Sequence, residues 1–370
     1  MRTLFVTYHY LHGNGGSVFA SRGYVNAFAE LSEHLTLLCP VKEGCHPEGI
    51  REGVHIVPVP YEAPRWLKYL HLLAGHIHRY FSVFDEALSM DRFDTVVFDA
   101  CYASFRLIDR ARRAGCRVIV IHHNSQCDYV RANYRFPVRG PMLYWTRRSE
   151  REAVSGSDLN LVLTPEDQAE LRRLYDKENR KLFGIVGVFE YCRQDPQEQT
   201  SVRKPVFVIT GNLSMRQTEE PLLEWLRSYL PELRATVPSA SVLVAGKDPS
   251  ECLQSRCLEA GVELLASPKD MQTVLARGGW YICPASMGGG LKLRIMDGLR
   301  NGMPVLAHRA SARGYEPFID RFVFCYDDRK SFRKALERML ALEIDRDSIR
   351  QLYREVFSFD AGLERLRNLL

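Results

Sequence analysis

The sequence lacks the marks of several protein classes. No apolar run approaches the roughly 20 residues that cross a bilayer, so no segment reads as a membrane span. The start, "MRTLFVTYHY", turns polar too soon for a signal peptide. Ten cysteines are scattered without a CxxC pair, which excludes a disulfide scaffold or zinc module and suggests reduced thiols in the cytoplasm. Charge of one sign is lacking too: 50 basic against 45 acidic residues leave +5, too little to imply nucleic acid. There is no repeat and no low-complexity tract.

What remains is an ordinary globular composition, 46% hydrophobic and 26% charged over 370 residues, long enough for two domains. Short apolar runs alternate with longer helical patterns, the sign of βα units and mainly parallel sheets. Strands are expected at "TLFVTY", "LTLLCP", "VHIVPV", "DTVVFD", "RVIVIHH" and "LNLVLT". A second series follows at "PVFVITG", "SVLVAG", "VELLAS", "WYICPA", "MPVLAH" and "FVFCYD". Polar, aperiodic sequence separates the two series. The domains are therefore 1–190 and 205–350, with a linker at 191–204 and a helical tail at 351–370 that caps the second domain or returns to the first.

Several familiar motifs fail on inspection. Gly13-Asn14-Gly15 gives two glycines of a dinucleotide fingerprint, but the third position is Val18 and the next strand ends without an acid. "VLVAGKDP" has Asp248 after Lys247 and no glycine at the spacing a P-loop needs. The only DxD, Asp345-Arg346-Asp347, reads as a helix cap rather than metal ligands. The arginine-rich stretch with Arg135, Arg139, Arg147, Arg148 and Arg151 reads first as a solvated helix face.

Two stretches carry chemistry. "RVIVIHHNSQCDYV" places His122, His123 and Asn124 just past a strand, where parallel sheets line their ligand crevice. An imidazole there can accept a proton or bond a sugar hydroxyl. The other stretch, "PASMGGGLKLRIMDGLRNGMPVLA", runs Gly288-Gly289-Gly290 into an amphipathic helix with Leu291, Ile295 and Leu299 on one stripe. Lys292 and Arg294 stand in its first turn with no acid beside them. A helix start favours anions and disfavours cations by a few tenths of a kcal/mol or more. A bound diphosphate explains the arrangement: glycines admit the backbone, N–H groups and dipole meet the anion, and the cations neutralise it.

With these residues in order, the chain resembles the GT-B glycosyltransferases, in particular those similar to glycosyltransferase family 4. The resemblance rests on "GNGGSVFASRGYVNAFAEL", "VIVIHHN", "SDLNLVLTPEDQAEL", "VFVITGNLS", "VLVAGKD" and "GGGLKLRIMDGLRNGMPVLA". It implies two facing Rossmann-like α/β domains with a cleft between them, the first for the acceptor and the second for a nucleotide-sugar donor. It implies no cofactor and no metal, a UDP- or GDP-sugar as substrate, and a saccharide or lipid-linked acceptor in surface polysaccharide assembly. By position, His123 falls near the reacting carbon, Gly15 and Gly16 approach the donor phosphates, and Asp297 holds the donor ribose. Gly289 stands where the first glutamate of the family's E-x7-E motif would be. The usual basic pair is replaced by Asn212 and Thr218, with Arg216 as a substitute cation beside Lys247, Lys292 and Arg294.

The lost glutamate leaves open a catalytically silent GT-B subunit, and a GT-B epimerase is a third reading. The segment 64–84, with Trp66, Leu70, Leu73 and Ile77 among Arg65, Lys68, His71, His76, His78 and Arg79, suits either burial or peripheral contact with the inner face of a membrane.

Overall fold

A computed structural model describes residues 1–13, 15–41, 45–60, 80–193, 205–287, 290–343 and 345–370. The chain divides into two compact units, Met1–Gln194 with Phe357–Leu370, and Asp195–Val356.

The first unit is a seven-stranded sheet in the order β3-β2-β1-β4-β5-β6-β7. Its strands are β1 (Arg2–Thr7), β2 (His34–Val41), β3 (His55–Pro60), β4 (Thr95–Asp99), β5 (Arg117–His122), β6 (Leu159–Val162) and β7 (Phe183–Ile185). All pairs are parallel. Continuous apolar runs such as Val118–Ile121 are buried throughout, as expected for strands with helices on both faces. The strand order reverses between β1 and β4, so their carboxyl ends open the crevice where doubly wound sheets bind ligands. β7 was not among the expected strands.

The tail is two helices rather than one. Arg346–Phe357 stays with the second unit up to Val356, and Phe359–Leu369 packs on the first. The hydroxyl of Ser358 accepts the Ala361 N–H and starts the second helix afresh. That helix fits because Gly362 lies on the Phe189 ring, where any Cβ would come within 1.9 Å of it. Most of the expected linker and the aromatic-basic segment up to residue 79 lie outside the described residues.

The second unit holds six parallel strands in the order β10-β9-β8-β11-β12-β13. They are β8 (Val206–Asn212), β9 (Ser241–Lys247), β10 (Glu263–Ala266), β11 (Trp280–Cys283), β12 (Val305–His308) and β13 (Val323–Tyr326). Here the order reverses between β8 and β11. The DxD acid Asp345 accepts the N–H groups of Asp347 and Ser348, both at 3.1 Å, and so caps the helix Arg346–Phe357. Among the described residues no helix is long and apolar enough to cross a membrane.

Candidate active site

In the second unit the helix Leu293–Arg300 follows β11, at the switch point. It begins one residue later than the sequence suggests: Lys292 is its N-cap, and Leu291 precedes it, half-buried. No side chain caps this start and its first turn holds no acid. The buried Tyr315 hydroxyl donates to the Lys292 carbonyl at 2.8 Å and fixes the cap. Ile295 and Leu299 are fully buried beneath the helix. At the far end Gly302 takes a positive φ of 66°. Its N–H reaches Leu299 and that of Met303 reaches Gly298, at 3.0 and 2.9 Å, closing a Schellman turn.

Arg294 crosses the switch point. Its Nη2 donates to the Thr218 hydroxyl at 2.8 Å, and its guanidinium lies against Gly211 near the end of β8. A Cβ at Gly211 would stand 2.5 Å from the guanidinium carbon. Thr218 is where the resemblance led to the expectation of a cation, and in the structure a cation from another helix reaches it. Arg216, the expected substitute, instead donates from Nε to Glu220 at 2.7 Å, one turn along its helix. Asn212 accepts the Ser214 hydroxyl at 2.8 Å. Lys247, paired in register with Asn212, is exposed at the end of β9. Asp297 lies one turn after Arg294, half-buried, and its charge helps raise the pKa of buried Tyr281 after burial itself. Gly290 has φ +70°; Gly288 and Gly289 lie outside the described residues.

In the first unit the switch point gathers a cluster whose full extent the sequence did not show. His123, one residue past β5, puts Nε2 2.5 Å from Oδ1 of Asp99, the last residue of β4. Asp99 is fully buried and its Oδ2 accepts the Thr7 hydroxyl at 2.7 Å. Burial alone would raise the Asp99 pKa; the charge and hydrogen bond of His123, then the charge of His9, outweigh it and bring it to about 2. The rings of His9 and Tyr24 pack on His123 at 4.9 and 5.8 Å. His9 is held near pKa 4, by burial first and then by the charge of His123; the residue as a whole is half-buried, and its Nε2 is fully buried.

Two local features aim this cluster. Ala100, directly after Asp99, adopts φ 83° and ψ 147°, a region that costs a residue with a Cβ roughly 1–3 kcal/mol. Buried Glu150 accepts the N–H groups of Gln126 and Cys127 and the Tyr175 hydroxyl. It thereby fixes the helix Gln126–Asn133 that leaves the His123 turn.

The ligand atoms of His9, Asp99 and His123 lie within 4.8 Å of one another, a grouping that could hold a cation. The 2.5 Å contact between His123 and Asp99 is a proton's distance. Two ligands of one zinc ion, with bonds of about 2.0 Å, stand roughly 3.3 Å apart. His122 faces the other way and bonds Oδ1 of buried Asn160 at 2.9 Å. Gly15 is the N-cap of the helix Gly16–Leu31, whose first turn has no acid. Gly15 has an ordinary φ of −77°, and a Cβ there would meet only Val18 at 3.6 Å.

Comparison with known proteins finds a family model for each half of the chain. A model described as "Glycosyl transferase 4-like domain" matches residues 15–182, and one described as "Glycosyl transferases group 1" matches residues 204–341. The chain is built of two glycosyltransferase domains on the GT-B fold. No curated protein matches the sequence. Among solved structures, sucrose-phosphate synthase from Thermosynechococcus elongatus is similar at 14% identity and a TM-score of 0.69, over 100% of this chain and 95% of that one. The lipopolysaccharide outer core galactosyltransferase WaaB gives 12% and 0.63, over 100% and 99%. HepE from Anabaena, solved with UDP, gives 11% and 0.66, over 100% and 99%. These likenesses establish the two Rossmann-like domains, and the chemistry rests on the residues described above.

Proposed function

We propose that the protein transfers a sugar from a nucleoside-diphosphate sugar, with UDP or GDP as the carrier, to a saccharide or glycolipid hydroxyl in surface polysaccharide assembly. The observation that carries this reading is the guanidinium of Arg294 held over Gly211 by Thr218, beside an uncapped helix start with no acid in its first turn. The departing diphosphate gains negative charge in the transition state. Arg294, Lys292 and the N–H groups of Leu293–Arg300 stabilise that charge from fixed positions, which needs no metal and little reorganisation. Asp297 accepts from the donor ribose. Gly15 and Gly16, at the start of the helix Gly16–Leu31, approach the donor diphosphate. The Asp99–His123 pair acts on the acceptor hydroxyl or the reacting carbon. UDP is bound in the structure of HepE, which supports the same ligand class here.

Calorimetry with UDP, GDP and dTDP tests the reading. Arg294→Ala and Lys292→Ala each weaken the preferred nucleotide by about 1.5–3 kcal/mol, the range for charged hydrogen bonds. Asp297→Asn weakens the nucleotide but leaves inorganic pyrophosphate unchanged. Undiminished affinity in both cation variants sinks the phosphate site. Gly289 in place of the family's first glutamate favours a second reading, a silent subunit that stabilises a partner transferase. Binding of the nucleotide without turnover of any sugar donor would support that alternative.

A further inference from the structure

The helix Arg139–Gly156 buries Thr146, Ser149, Glu150, Ala153 and Val154 on one side. Helical spacing sends Pro141, Tyr144, Arg148 and Arg151 to the other, and all four are exposed. Tyr144 is 59% exposed, and Phe136, in the turn before the helix, is 90% exposed. Arg135 flanks that phenylalanine, and exposed Arg147 widens the basic face. Among the described residues no carboxylate forms a salt bridge with Arg139, Arg147, Arg148 or Arg151. Arg148 lies over the Trp145 ring at 5.8 Å. Of the nearby acids, Glu150 is buried, Asp128 pairs with Arg131, and half-buried Glu152 accepts the Arg106 N–H and offsets part of the Arg148 charge.

We propose that this face, Phe136 with Tyr144, Arg148 and Arg151, docks the first unit on an anionic lipid bilayer. The arginines meet the headgroup charge, and Phe136 and Tyr144 enter the interfacial layer where aromatic rings are favoured. A nucleic-acid duplex would engage the arginines but leave Phe136 in water. The surface is separate from the switch-point cluster, so the proposal does not depend on the transfer reading.

Co-sedimentation of the full chain with phosphatidylcholine vesicles, with and without phosphatidylglycerol, tests it at low and near-physiological salt. The protein binds only the anionic vesicles, and binding weakens as salt screens the charges. Arg148→Gln and Arg151→Gln each reduce partitioning about fivefold, and Phe136→Ser reduces it about tenfold. All three keep the wild-type melting temperature, which separates lost docking from lost fold. Equal binding to neutral vesicles, no binding to either kind, or undiminished binding by the three variants overturns the proposal. So does loss of binding through Arg65 and Lys68 alone, or preferential binding of a single-stranded oligonucleotide to the same face.

Discussion

The Nε2 of His123 and the Oδ1 of Asp99 stand 2.5 Å apart at the carboxyl edge of the first sheet, with Asp99 fully buried. The second carboxylate oxygen is taken by Thr7. This leaves the imidazole one orientation and makes Nδ1 the ring atom available to a ligand. An acid held at about 2 does not compete for the proton it helps to place, so the pair can orient a hydroxyl without losing its charge.

Asp99→Asn keeps the size and the Thr7 contact but removes the charge. Turnover is expected to fall about ten- to a hundredfold while nucleotide affinity stays within about twofold, because the loss falls in the transition state. Initial rates on a soluble acceptor, set beside nucleotide calorimetry, separate the two quantities. Equal losses in both would make Asp99 a structural residue only.

Gly211 and Gly246 neighbour each other in register across β8 and β9, yet their replacement has opposite consequences. A Cβ at Gly211 meets the flexible end of Arg294, whereas one at Gly246 meets the Gly211 carbonyl oxygen at 1.8 Å. Gly211→Ala is therefore expected to weaken nucleotide binding about tenfold or more with little change in melting temperature. Gly246→Ala is expected to destabilise the second unit by about 2 kcal/mol or more, since backbone must move. Thermal denaturation and nucleotide titration of both variants check the contrast.

The strands were legible because buried parallel strands read as continuous apolar runs. β7 escaped because three residues, Phe183–Ile185, are too few to make such a run. Lys292 and Arg294 were legible because cations at a helix start contradict the dipole. Asp99 was not. An acid ending a strand resembles any turn residue, and its partner lies 24 positions away, brought near only by the β4–β5 register. The Thr218 contact likewise depends on a helix 76 positions removed, whereas Arg216 is the cation near Thr218 in sequence. The break at Ser358 carries a local signal, a serine before Phe359 with Asp360 in the first turn, that the helical spacing of the tail masked.

Acid should destabilise the first unit well before carboxylates titrate. Burial lowers the His122 pKa from 6.5 to about 4, opposed only in part by the Asn160 hydrogen bond, and His9 is lowered to a similar value. Below 6.5 the unfolded imidazoles bind protons that the folded ones refuse, so stability falls as pH drops from 6.5 to 4. For His122 the full shift corresponds to about 3 kcal/mol. Urea midpoints measured at about pH 7 and pH 5 should show the fall, and His122→Gln, which takes no proton, should remove its share and leave that of His9. A midpoint independent of pH over this range would contradict the burial argument.

His122 and His123 are adjacent and both buried, yet they should fail in different ways. His122 belongs to β5 and bonds Asn160 inside the sheet; His123 lies past the strand end and bonds Asp99 at the switch point. His122→Ala leaves a cavity and strips a buried amide of a partner, at a cost of about 2–4 kcal/mol. Enzyme that remains folded should keep its turnover within a few-fold. His123→Ala should instead lower turnover about ten- to a thousandfold, the lower part of what positioned acid–base groups contribute, with donor affinity nearly unchanged. Stability and initial rates measured on both variants decide the matter. If His122 alone controls turnover, the reactive side of the strand end has been misassigned. If neither does, the Asp99–His123 pair is packing and the acceptor chemistry belongs to other residues.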